Sequence, residues 1–130
     1  MVVTSLPDQA KRLLDAETFA VLATVNRDGS PQSSVIWIKR DGDEVVFSSI
    51  RGRRKTRNME RDPRVSITMF DPAEPYRYVE VRGTVTMTDE GGRELIDELS
   101  LKYNGRHYPV EPDGTVRTVF RVTPTHVHVR

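Results

Sequence analysis

Apolar and polar residues alternate with a period of two over most of this chain, the mark of half-buried strands. From Thr18 the text runs TFAVLATV, the turn NRDGSP, QSSVIWIKR, the turn DGDE and VVFSSI, which predicts three strands joined as a meander. RVSITMF predicts a fourth strand, and YRYVEVRGTVTMT, after the loop DPAEP, a long fifth. TVRTVFRVTPTHVHVR supplies a sixth, interrupted by one proline. Helical spacing is confined to short stretches. Ser5 lies three residues before Asp8, with Pro7 in the first turn and Ala10, Leu13 and Leu14 following, which predicts a short capped helix. KTRNMERD predicts another, closed by Pro63 because proline cannot continue the hydrogen-bond ladder. Asp89 is expected to cap a helix over EGGRELIDELSLKY, with Leu95, Ile96, Leu99 and Tyr103 on one face and two glycines weakening its start. NGRHYPVEPDG reads as a polar loop.

Many short strands with close turn signals favour a mainly β fold over a βαβ sheet. The expectation is a six-stranded antiparallel barrel with short flanking helices, which also protects strand edges that a small open sheet would expose. A length of 130 residues suits a single domain over 1–130.

Composition removes several functions. Hydrophobic residues make up 36% and charged residues 30%, and no apolar run approaches the roughly 20 residues of a spanning helix, so no membrane partner is expected. The stretch MVVTSLPDQAKRLLD carries acids and no small-residue cleavage site, and a cytoplasmic location is expected. Without cysteine, disulfides, thiolate metal sites and catalytic thiols are excluded.

Charge is where the chain becomes specific. Six of the eleven residues from Arg51 to Arg61 are basic against one acid, leaving 14 basic and 18 acidic residues elsewhere, a formal charge of −4. A concentrated positive patch on a nearly neutral protein suits a compact anion such as phosphate. Two plainer readings stand beside it, a solvated helix face and contact with nucleic-acid phosphates. No aromatics interleave the run and the pI is about 8.1, so no nucleic-acid partner is expected. The patch is expected to be exposed. Gly52 either turns the backbone toward the anion or only ends a strand.

Other candidates are weaker. His126 and His128 fall on one strand face, but two ligands do not make a closed metal site, and no metal is expected. His107 is either a proton donor or a solvated loop residue. No GxGxxG or GxxxxGK[ST] occurs, and Gly29-Ser30 sits in a hairpin turn rather than a nucleophile elbow.

The succession FAVLATVNRDGSPQSSVIW, VVFSSI, RRKTRNMERDPRVSI and YVEVRGTVTM resembles the pyridoxamine 5′-phosphate oxidase-like split-barrel superfamily. Within it the chain looks most like the actinobacterial branch that uses the deazaflavin coenzyme F420. The match covers about residues 17 to 88 well and the last third loosely. The resemblance implies a split β-barrel of the type that binds flavin mononucleotide (FMN), a homodimer, and a cofactor ring held between subunits. Carried onto this sequence, the ring-facing positions are Gln32, Ser34, Val35 and Trp37, with Ser48, Ser49 and Ile50 on the next strand. The phosphate falls to Arg53, Arg54, Lys55 and Thr56, with Asn58 behind them.

The implied activity is that of an F420H2-dependent oxidoreductase, transferring hydride to an unsaturated small-molecule substrate. F420 carries a phosphodiester and a tail of carboxylates, and six basic residues exceed what one phosphate needs; Arg51 and Arg57 would suit the tail. FMN is the alternative cofactor, and a non-catalytic F420 carrier or haem-binding relative is a third reading. Pyridoxamine phosphate oxidases carry an extended C-terminal substrate region where this sequence ends in VTPTHVHVR, so their substrate is not expected. Trp37 either stacks on the ring or is core. Tyr76 and Tyr78 share an expected strand face and either reach the neighbouring subunit's ring or simply pack. The substrate pocket is expected between loops 71 to 78 and 104 to 114.

Overall fold

The structure, a computed structural model, describes residues 3–130. In chain order the elements are α1 (Asp8–Asp15), β1 (Ala20–Val25), β2 (Pro31–Ile36), β3 (Lys39–Asp41), β4 (Glu44–Ile50), α2 (Arg54–Arg61), β5 (Arg64–Phe70), β6 (Tyr78–Thr88), α3 (Gly92–Asn104) and β7 (Arg117–Val129). The strands form one antiparallel sheet in the order β2-β1-β5-β6-β7-β4-β3. Its two edge strands, β2 and β3, are consecutive in the chain. Trp37 and Ile38 therefore join one edge to the other, and the sheet closes into a barrel.

This closure corrects the strand count from six to seven. QSSVIWIKR is not one strand, because the chain leaves its pairing with β1 at Ile36 and takes up pairing with β4 at Lys39. The gap leaves Ile38, fully buried, without a strand partner for its backbone. Side chains of α3 complete it: the Ile38 N–H donates to Tyr103 Oη at 3.1 Å, and Lys102 Nζ donates to the Ile38 carbonyl oxygen at 2.6 Å. A broken strand is tolerated where its polar groups find other partners.

Inward-facing residues of the strands fill the barrel. Phe47 and Phe120 stack at 5.1 Å between ring centroids, surrounded by Leu22, Ile67, Met69 and Val81. Ala10 and Leu14 of α1 close one end, and Met59 of α2 joins the same core. Outside the barrel, Leu95 and Leu99 of α3 pack on Val46 and Val119, with Trp37 and Tyr103 at the margin.

The expected caps are not the observed ones. Ser5 is exposed and caps nothing; α1 starts from Pro7, while the Leu6 N–H donates to Asp43 Oδ1. Asp89 turns away from α3 and accepts from Arg51 Nε and Thr118 Oγ1, leaving Gly91 as the N-cap. Gly92 is required rather than merely tolerated, since a Cβ there would lie 2.1 Å from the Arg117 carbonyl oxygen. β7 runs through Pro124, which sits opposite Gly83 where a β-bulge shifts the register. Tyr76 is not on a strand: it lies in the loop before β6, 83% exposed, while Tyr78 begins β6. Among the described residues no helix is long and apolar enough to cross a membrane.

Candidate functional site

The basic segment begins where β4 ends. At Gly52 the backbone takes φ +95°, a conformation that favours glycine, and the reversal sets Arg53 at the N-cap of α2. The Thr56 hydroxyl donates to the Ile50 carbonyl oxygen at 2.8 Å and lies 3.0 Å from Ser49 Oγ, pinning the helix to β4. Arg53, Arg54, Arg57 and Arg61 are exposed, as the sequence suggested, whereas Arg51 and Lys55 are half-buried and Thr56, Asn58 and Met59 are buried. The burial of this face divides the cations between two sides of the helix.

On one side lies a pocket of about 180 Å³ whose walls include Val35, Trp37, Ser48, Arg53, Lys55 and Tyr108. Lys55 is half-buried, and the only hydrogen bond its ammonium makes among the described residues is to Ser34 Oγ at 3.4 Å. Burial holds its pKa below the ordinary lysine value, and the like charges of Arg53 and Arg117 push it the same way. A cation buried beside cations with no carboxylate partner is a place prepared for an anion. Arg117 is tied instead: Nε donates to Glu111 Oε1 at 2.7 Å, and the guanidinium lies 4.9 Å from the Tyr108 ring centroid. Trp37 stacks on Tyr103 at 5.2 Å, so one indole face is packing while the residue also lines the pocket.

On the other side, a cleft of about 590 Å³ opens between α2 and the β1–β2 turn. Arg54, Arg57 and Arg61 follow one another at helical spacing, and Arg27 faces them from the turn. Asp28 is the only carboxylate in its walls. Among the described residues Arg27, Arg54 and Arg57 have no ion-pair partner, whereas Arg61 Nη2 donates to the Val25 carbonyl oxygen and to Asn58 Oδ1. The two cavities flank the first turn of α2, whose leading N–H groups have no acceptor within the helix.

The sequence-derived residues thus separate by location. Ser34, Val35, Trp37, Ser48, Arg53 and Lys55 gather at the smaller pocket, and Arg54 faces the larger cleft. Ser49, Thr56 and Asn58 are buried beneath, bonded to protein, and Gln32 accepts from Thr24 Oγ1 at 2.7 Å. Ile50 is half-buried and paired with Arg117. Arg51 is unsuited to a ligand tail, since Asp89 and Glu60 already neutralise it at 2.9 and 3.0 Å. Loops 71 to 78 and 104 to 114 line different cavities: the first borders one with Phe19 and Phe70, while Tyr108 of the second is in the wall of the Trp37 pocket. His126 and His128 are exposed and stand opposite Arg82 and Glu80. Arg117 and Arg27 were missed, and no local signal marks them; only the β4–β7 pairing and the hairpin's approach to α2 bring them in.

A family model described as pyridoxamine 5′-phosphate oxidase matches residues 6–130. A curated pyridoxine/pyridoxamine 5′-phosphate oxidase of Rubrobacter xylanophilus is 39% identical over 71 residues, which make up 54% of this chain and 32% of that enzyme. The matched stretch thus spans about a third of that relative's length. A solved structure named an F420 reductase superposes with a TM-score of 0.83 at 32% identity, covering 95% of this chain and 98% of that one. A conserved hypothetical protein of Mycobacterium tuberculosis shares the fold, with a TM-score of 0.76 at 20% identity over 98% and 85% of the two chains.

Proposed function

The chain belongs to the pyridoxamine 5′-phosphate oxidase family, whose split-barrel fold it has, and on that footing we propose that it is an F420H2-dependent oxidoreductase acting on an unsaturated small molecule. One observation supports this cofactor above the others. Two cationic cavities draw on alternate residues at the start of α2, Arg53 and Lys55 for the one walled partly by aromatic rings and Arg54 for the one with four arginines. A ligand with a planar ring, a phosphate and a separate run of carboxylates matches both, whereas FMN, with one phosphate, uses only the first.

In this reading Val35, Trp37 and Ser48 line the ring's place, with Gln32, Ser34, Ser49 and Ile50 in the strands around it. Arg53, Lys55 and the leading N–H groups of α2 take the phosphate. Thr56 and Asn58 fix the helix that presents them. Arg27, Arg54 and Arg57 receive the carboxylate tail. When bound, the reduced deazaflavin supplies hydride; the protein's part is orientation, exclusion of water and electrostatics. Tyr108 is in the wall of the same pocket, its ring edge-on to Trp37.

A homodimer completes the site. The smaller pocket, at about 180 Å³, falls below the roughly 300 Å³ at which pockets begin to enclose such ligands, so a second copy must cover it. Val35 is 63% exposed and its register partner Val21 39%, an apolar pair on the outer face next to that pocket.

Titration of the purified protein with F420 and, separately, with FMN tests the assignment through cofactor fluorescence and quenching of Trp37. Micromolar or tighter binding of F420 with weaker binding of FMN is expected. The reverse preference selects the FMN reading, and binding of neither overturns both.

A further inference from the structure

A chain of hydrogen bonds runs from the arginine cleft to Gln32, and its direction is fixed at its two ends. A guanidinium only donates, so Arg61 Nη2, 3.0 Å from Asn58 Oδ1, assigns that atom as the oxygen of the amide. The Asn58 Nδ2 group must then point the other way, and it donates to Thr24 Oγ1 and Asn26 Oδ1, both at 3.0 Å. The Thr24 hydroxyl in turn donates to Gln32 Oε1 at 2.7 Å, the amide orientation that also sets Gln32 Nε2 against the Ser33 carbonyl oxygen, which only accepts. Thr24 and Asn58 are 2% and 3% exposed, so the bond between them, at the middle of the chain, is shielded from water.

The result is a fixed orientation of the Gln32 amide. Its oxygen is held inward and its NH2 group is left outward, with one long contact of 3.3 Å to the Ser33 carbonyl oxygen and no other partner among the described residues. Gln32 shares a strand face with Ser34, whose hydroxyl meets Lys55. We infer that Arg61, Asn58 and Thr24 act as positioning residues that hold the Gln32 amide as a hydrogen-bond donor to the bound cofactor, selecting an acceptor oxygen or nitrogen at that point. The inference rests on the cofactor reading above for the identity of the ligand. The direction of the chain stands on the geometry alone.

The consequence is that Thr24, which touches no ligand, controls affinity through Gln32. A double-mutant cycle in F420 binding tests this. Thr24→Val is expected to weaken binding about tenfold in the wild-type background and less than twofold in a Gln32→Ala background. Thr24→Ser, which keeps the hydroxyl, is expected to restore affinity to within twofold. Equal losses in both backgrounds, or no loss with Thr24→Val while its melting temperature is retained, would overturn the proposal.

A ligand-free arm keeps the test independent of the cofactor. In 15N-edited NMR of the free protein, the two Gln32 side-chain NH2 resonances are expected to be displaced from the positions of a solvent-exposed glutamine, to move toward those positions in Thr24→Val and to stay displaced in Thr24→Ser. Resonances at the solvent-exposed positions in the wild type would overturn the chain. Should the wild type bind neither F420 nor FMN, the cofactor reading fails while this arm still decides the orientation of Gln32.

Discussion

The buried backbone N–H of Ile38 donates to the hydroxyl of Tyr103, across the seam where the barrel has no strand pairing. The same hydroxyl donates to the Thr18 carbonyl oxygen, so one phenol ties the start of β1 to the β2–β3 junction. Tyr103→Phe leaves both backbone groups without that partner. The expected loss is about 1–3 kcal/mol of unfolding free energy, with an unchanged denaturant slope, measured by urea unfolding.

Lys55→Met removes a half-buried cation that has no carboxylate to lose, so the melting temperature is expected to stay level or rise. Cofactor affinity is expected to fall at least about tenfold, roughly 1.4 kcal/mol. A titration beside a thermal melt separates the two effects.

The same residue sets a pH dependence. Burial lowers the Lys55 pKa, so the ammonium begins to lose its proton at a lower pH than an ordinary lysine. Anion binding needs the charged form. Affinity for a phosphate-bearing cofactor is therefore expected to decline as pH rises from 7 toward 10, and to stay flat over that range in Lys55→Arg, because a guanidinium remains protonated. Parallel profiles for wild type and variant would remove Lys55 from the phosphate contact.

Arg54 and Arg57 separate tail from head. Each change to alanine is expected to weaken F420 binding about fivefold, near 1 kcal/mol for an exposed charge contact, and to reduce its salt dependence. FMN and a deazaflavin head lacking the tail should bind these variants as they bind the wild type. A matching loss with FMN would place its phosphate in the arginine cleft.

Val35→Glu puts a charge on the exposed apolar pair with Val21. If that face is covered by a second copy, sedimentation should change from dimer to monomer at micromolar concentration, with cofactor binding lost in step. A wild type that sediments as a monomer removes the shared-site arrangement.

Much of the fold was legible because strands and turns carry local signals: the alternation in RVSITMF and in YVEVRGTVTMT, two residues shorter at its start than expected, and the DGDE turn stand where the pattern put them. The split of QSSVIWIKR was not, since a strand that changes partners keeps its alternation and only the partners reveal the break. The caps at Ser5 and Asp89 failed for a related reason. Both sites have the right side chains in sequence, but at the second a distant arginine and threonine claim the aspartate first. In the site, local charge density marked α2, yet nothing local says which basic residues are already spent. Arg51 and Lys55 look alike in sequence; two carboxylates separate them in space.

The place of β7 in the sheet, between β6 and β4, has a consequence for synthesis on the ribosome. Until residues 117–129 have left the exit tunnel, the β3–β4 hairpin and the β2-β1-β5-β6 sheet share no strand pairing, and each offers an open edge to neighbouring nascent chains. Barrel closure therefore waits for β7, and chaperone dependence should be greatest in the interval just before that strand emerges.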